Sequence, residues 1–414
     1  MPVDFNRVPP RVDVPPPPRV SMIVWTVLLV LVMTAGSGLT IMLWPTGSPT
    51  NTLWFWFWFC VAGYPFLAWA FLLFAWLGYG HVRRNQGIAT NRVSDEAEQA
   101  CHALASRPLA ILGHAWCFAA DDSENSLEGV LRGAELAKLR PSAATADTDV
   151  NARWLDIPDM HFQPGNELTE HARHHAVCTW LLERLIDRLV PQLRTLPPRT
   201  KLQIELHHQS RLKSEAVETR MRELIAERAP ALKVGMVSGE HSPSLFRTDA
   251  LLDNRDVNMA HLLVAIELRD AISAVLSDGV AEAGVAVLVG RPRLVSSASS
   301  SGVLLHRPAK ATLDAAARTL ELAARWGQSS RDRLRTVWAH GLTGDSVSAV
   351  RQAASLADET QWNALETSVG DCSGAGAWLA VALAAESVRI TGDPQMVLCG
   401  EGKELIALMC RKQT

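Results

Sequence analysis

The stretch Arg335-Thr336-Val337-Trp338-Ala339-His340-Gly341-Leu342-Thr343-Gly344-Asp345 runs an apolar segment into a glycine-bracketed turn, and residues 346–357 then carry a helical pattern. Such a succession reads as strand, turn, helix. The same alternation continues outward in both directions. Towards the C-terminus, residues 375–386 read as a helix of small residues, and 396–399 and 404–410 as strands. Towards the N-terminus, 311–324 reads as a helix and 284–290 and 302–305 as strands; further back, 109–117, 201–207 and 231–237 read as strands. Helical patterns cover 125–136, 170–193, 215–227 and 259–275. In the second of these, Val177, Leu181, Leu182, Leu185, Ile186 and Leu189 recur at helical spacing, and Pro191, Pro197 and Pro198 are expected to end it. Strands separated by helices imply a layered α/β domain, divided here into halves at 91–255 and 256–414.

Ahead of this domain lie two uncharged apolar blocks, residues 22–44 and 53–79. A helix rises about 1.5 Å per residue and the hydrocarbon core is about 30 Å thick, so roughly 20 apolar residues cross it. Both blocks reach that length, and residues 21–80 are expected to form a transmembrane helical hairpin. Arg7, Arg11 and Arg19 precede it, Arg83, Arg84 and Arg92 follow it, and residues 45–52 carry no charge. The positive-inside rule then places both termini in the cytoplasm, and the expected setting is an inner membrane of bacterial type. Alternating Trp and Phe at residues 54–59 suit the headgroup layer, and Pro65 is expected to bend the second helix. With no Asp, Glu, Lys, Arg or His in either block, a transport path is not indicated. Residues 1–20 include four consecutive prolines at 15–18 and are expected to form an extended, mostly disordered cytoplasmic leader.

The formal net charge of -3 argues against a nucleic-acid surface. Seven cysteines, at 60, 101, 117, 178, 372, 399 and 410, show no paired spacing, so neither a disulfide framework nor a zinc ribbon is expected.

The turn at His340 resembles the His-Gly-Thr-Gly-Thr turn that carries the first catalytic histidine of the β-ketoacyl synthases, whose fold is the thiolase-like one. Further along, Val369-Gly370-Asp371-Cys372-Ser373-Gly374-Ala375-Gly376-Ala377 is similar to that family's Gly-His-Thr segment and the small-residue helix after it. Cys399-Gly400-Glu401-Gly402 and residues 405–411 resemble its last glycine turn and strand; Ser277-Asp278-Gly279 with 284–290, and 109–115 with 129–133, resemble earlier parts in family order. The resemblance spans about 300 residues and implies an αβαβα thiolase-like (ketosynthase-like) domain behind the hairpin. It also implies chemistry by a cysteine at the head of a buried helix, assisted by two histidines that stabilise oxyanion and carbanion.

This chain departs from that pattern. His340 matches the first histidine, but the second position either holds Asp371, where a carboxylate would repel an enolate, or has been lost with a local shortening of the chain. No cysteine lies between Cys178 and Cys372, and no lysine between Lys310 and Lys403. Cys178 sits among leucines, like an inert packing thiol. The resemblance therefore implies a catalytically inactive scaffold, with His340, Asp345 and Asp371 as the vestigial catalytic candidates.

Other constellations are weaker. His171, His174 and His175 share a helix face, but nothing nearby completes a metal site, and no metal or cofactor is assigned. Ser373 lacks the glycine two places back that a nucleophile elbow needs. The serine run at 296–301 reads as a connector, and Gly400 to Gly402 as a turn rather than a phosphate cradle. Three functions follow: a membrane-anchored adaptor for an unidentified protein partner, as an accessory of a secretion system; a divergent acyl-thioester enzyme pairing His340 with Asp345 or Asp371; or an acyl-carrier or lipid-binding module without turnover. The resemblance also implies a homodimer.

Overall fold

The computed structural model describes residues 4–45, 54–132, 139–238, 243–254, 256, 258–294, 302–330, 333–342, 344–354, 356 and 359–413. The chain forms two compact units, residues 3–102 and a larger one from residue 103 onward.

In the first unit, α1 (Met22–Leu43) is followed by a short helix α2 (Trp54–Trp58), a π-helical turn (Phe59–Gly63) and α3 (Tyr64–Ala105). Among the described residues, α1 and the continuous helix Trp54–Ala105 are the two that are long and apolar enough to cross a bilayer, and α1 buries none of its residues. The residues between them, 46–53, lie outside the described residues. Pro65 cannot donate a backbone hydrogen bond, and the turn before it widens to π. Two hydroxyls of α1 reach carbonyls there: Ser37 Oγ donates to the Val61 oxygen at 2.8 Å and Thr40 Oγ1 to that of Cys60 at 3.1 Å. The Pro65 ring sits where a side chain on Gly36 would be, so the helices meet closely. Past the apolar block, α3 runs on through polar residues to Ala105, because no proline interrupts it. After a 3₁₀ turn at Phe5–Arg7 the leader is extended, as its prolines require, but not loose. Residues 4–20 lie along α3, anchored by the Asn91 side chain, which accepts from Val12 N–H and donates to Val12 O, both at 2.9 Å.

The larger unit opens with β1 (Leu109–Cys117), α4 (Leu127–Arg132), the small pair β2 (Arg140–Pro141) and β3 (Asp149–Val150), and α5 (Glu167–Thr195). Next come β4 (Lys201–Gln209), α6 (Ser214–Arg228), β5 (Lys233–Ser238), α7 (Arg247–Asp253), β6 (Met259–Glu267) and β7 (Ala283–Gly290). The rest is β8 (Val303–Leu305), β9 (Ala309–Thr312), α8 (Ala316–Trp326), β10 (Thr336–His340), α9 (Gly344–Ala354), β11 (Gln361–Ala364), α10 (Leu365–Ser368), α11 (Ser373–Thr391), β12 (Gln395–Glu401) and β13 (Glu404–Lys412). Apart from β2 and β3, the strands form one mixed sheet in the order β11-β10-β12-β13-β8-β1-β7-β6-β4-β5, with β9 beside β13.

Alternation across β7 shows the layering. Val285, Val287 and Val289 belong to one core cluster with α11, and Ala286 and Leu288 to the other with α5. Helix α11 is therefore on the face opposite α5. Residues 374–385 of α11 are all buried, and it touches strands across the sheet from β10 to β4, so that the sheet curls around it. The short α7 joins this inner layer, with Leu251 and Leu252 in the α11 cluster and the Trp378 indole donating to Pro243 O at 2.7 Å. Helix α8 packs on the other side of β13, where a side chain on Gly327 would strike Met409. The fold is a layered α/β arrangement with a mixed sheet.

Several sequence expectations need correction. Residues 259–275 are not a helix: 259–267 form β6, held between β4 and β7 with Ala260 to Glu267 buried. A strand covered on both faces is a continuous apolar run, and its pattern does not distinguish it from a buried helix. Pro191 does not end α5, which reaches Thr195; Leu193, buried at its last turn, holds it in place. Residues 311–324 begin as the end of β9 and a 3₁₀ turn, and β11 had no sequence counterpart. The end of the expected helix at 125–136, the serine run at 296–301 and Thr343 lie outside the described residues.

Inside this unit is a fully buried ionic knot. Arg173 bridges Glu170 on its own helix and Glu282 ahead of β7, and His174 donates or accepts at both ring nitrogens, to Arg269 O at 2.9 Å and from Arg211 N–H at 3.0 Å. His174 is thus a packing residue, while His171 and His175 point outward.

Candidate functional site

His340 ends β10, at the carboxyl edge of the parallel trio β11, β10 and β12. The next residue, Gly341, has φ +70°, and a Cβ there would meet Gly400 O at 2.5 Å, so only glycine fits the turn. Its N–H donates to Glu366 Oε1 at 2.6 Å, and the same carboxylate oxygen lies 2.9 Å from His340 Nδ1. On the ring's other side, Nε2 is 3.1 Å from the Ser373 carbonyl oxygen. A carbonyl only accepts, so Nε2 carries a proton there. Ser373 has φ +40°, an unusual left-handed conformation at the head of α11. Its N–H donates to Asp371 Oδ1 at 2.8 Å, and Arg269 donates to its hydroxyl. The ring rests on Gly376 so closely that any side chain there would overlap it. Gly376→Ala is accordingly expected to cost about 1–3 kcal/mol by overpacking, read from the chemical denaturation midpoint.

Burial alone would disfavour the His340 imidazolium, but Glu366 outweighs it and the histidine is raised above its ordinary value. Burial pushes Glu366 up, and the contact with His340 more than reverses this, leaving it lowered. The pair's contribution is therefore complete between about 4.5 and 6.5, the ordinary values of the two groups. It fades as pH rises through the raised histidine value or falls through the lowered glutamate value. On the far side of the same turn, Glu267 is raised to about 7, chiefly by burial, with Arg269 opposing at 3.2 Å. The nearby thiols are not activated. Burial, then the Asp371, Glu267 and Glu366 carboxylates, drive Cys372 well above the ordinary thiol range, and burial pushes Cys399, beside His340 on β12, up to about 12.

His340 and Asp371 thus meet at the head of α11, while Asp345 is exposed in the first turn of α9 with no hydrogen bond or ion pair to His340 among the described residues. The Asp371 backbone also ties the turn to the Asp278-Gly279 segment: its N–H donates to Gly279 O at 2.6 Å, and its carbonyl accepts from Ala281 N–H at 2.9 Å. Sequence reasoning missed Glu366, Glu267 and Arg269. The first lies in a short helix with no pattern of its own, and the other two fell within or beside the run misread as a helix.

No family model matches the chain, and no curated protein does. Among solved structures it shows distant similarity to thiolase-like ketosynthases. The ishigamide ketosynthase/chain length factor matches at 13% identity over 74% of this chain and 100% of its own, with a TM-score of 0.48. Acetamide-bound OleA of Xanthomonas campestris matches at 12% identity over 74% and 99%, with a TM-score of 0.45. Cerulenin-bound OleA of the same organism matches at 12% identity over 74% and 99%, with a TM-score of 0.44.

Proposed function

We propose that the larger unit is a thiolase-like scaffold without condensing activity, held at the cytoplasmic face of a membrane by α1 and the apolar part of α3, where it presents a surface to a protein partner. One observation carries this reading: both ring nitrogens of His340 are engaged, by Glu366 and by the Ser373 carbonyl, with Gly376 packed against the ring. Nε2 is spent on a backbone carbonyl and Nδ1 lies against a carboxylate, so the ring clamps the head of α11 instead of donating to a substrate oxygen. Buried, unactivated thiols support the same reading. So do the arginines flanking the apolar helices, which favour both ends on the cytoplasmic side. An adaptor role in a secretion system belongs to this proposal.

The test uses the detergent-solubilised full chain with malonyl and acyl thioesters. We expect no thioester consumption, and a protein partner captured from native membranes. Turnover abolished by His340→Ala would replace this reading with an acyl-thioester enzyme. A stable acyl-carrier complex without turnover would replace it with a carrier-binding module.

A further inference from the structure

The proline-rich leader follows a seam on α3 that repeats every seven residues. Gly80, Gly87, Ser94 and Cys101 are evenly spaced along it, and seven residues are close to two helical turns, so these four small residues line one face. The leader lies antiparallel along it. Pro18 is at Gly80, where a Cβ would come within 2.9 Å of the proline ring. Val14 is at Gly87, and at the far end Asp4 O lies 3.9 Å from Cys101 Sγ, with the Phe5 ring 4.9 Å from that of His102. Between these ends Asn91 pairs with both backbone groups of Val12, and Arg11 reaches Asp95 at 2.8 Å and Glu98 at 3.0 Å.

We infer that this seam is a binding site for an extended proline-rich strand, and that its occupant is the chain's own leader, closed as a strap over the polar extension of α3. Two physical points support the assignment. Glycine destabilises an exposed helix by about 1 kcal/mol relative to alanine, so Gly80 and Gly87 weaken α3 unless something fills the space they leave. A polyproline strand makes no hydrogen bonds within itself, which leaves the Val12 amide and carbonyl free for a side-chain amide. The helix and the strap complete each other, and the N-terminus is not a free docking arm.

The experiment uses the full chain in membranes. A Pro18→Cys/Gly80→Cys variant, mildly oxidised, should form a disulfide within one chain, identified by mass spectrometry of the linked peptides. Independently, Gly87→Leu should fill the seat and release the strap, so that trypsin cuts after Arg11 about tenfold faster than in the parent. Leucine raises helix propensity, so faster cleavage could not be traced to a melted α3. A disulfide joining two chains, or no disulfide at all, would overturn the assignment. So would equal cleavage rates in Gly87→Leu and parent.

Discussion

Replacing Arg173 with alanine should lower the stability of the larger unit by about 3–5 kcal/mol, the typical result of stripping one partner from a buried ion pair. The side chain is fully buried. Nη1 donates to Glu170 Oε1 at 3.1 Å and to Glu282 Oε1 at 3.0 Å; Nη2 donates to Glu282 Oε2 at 2.6 Å and to Leu155 O at 3.1 Å. Its two carboxylates are not spare. Glu170 Oε2 accepts from the N–H groups of Ile272 and Ser273, both at 2.8 Å, and Glu282 accepts from those of Arg269 and Leu155, both at 2.7 Å. Alanine would leave two carboxylates facing each other without a countercharge, in a place where water does not replace it. Arg173→Lys should fall between, because a single ammonium cannot serve both carboxylates and the Leu155 carbonyl with the same fork. Urea denaturation of the solubilised protein measures all three. A loss under about 1 kcal/mol for alanine would mean that solvent reaches the knot.

Glu267→Gln should have the opposite sign above neutral pH. Glu267 is 2% exposed and titrates at about 7 against an ordinary 4.5, with burial the main cause. A carboxyl raised on folding binds more protons in the native state, so stability falls as pH rises from about 4.5 through about 7, by roughly 3 kcal/mol in all. Glutamine is neutral at every pH and keeps an acceptor for the Gly374 N–H, so this slope should vanish. At pH 8 the variant should be the more stable protein, less whatever the Arg269 contact contributes; near pH 5 the two should be close. Denaturation midpoints at the two pH values decide the matter. Parallel profiles for parent and variant would show that Glu267 does not carry the dependence.

The fold class was legible because its signals are local. Strand β1, helix α5 with its leucine stripe, and the strand and glycine turn ending at His340 all stand where spacing placed them. Strand β6 was misread for a physical reason: buried on both faces, its side chains need no alternation. The candidate site was half legible. His340 could be found because it sits at a strand end before a glycine that the backbone requires, whereas Glu366 reaches it from 26 residues away in sequence. Asp345 drew attention through proximity along the chain, and the helix it opens carries it to the surface. No periodicity encodes which carboxylate faces which ring; that is settled when β10 and β11 pair in parallel.

The enclosure of α11 has a consequence for biosynthesis. The helix spans residues 373–391 and is wrapped by strands from as early as residue 109 and as late as residue 412. During translation the central cavity of the domain therefore stays unfilled until residues 373–391 have left the ribosome. Chains truncated before residue 373 would expose the inward faces of β1, β6 and β7 with nothing to cover them, inviting aggregation and clearance by proteases or chaperones.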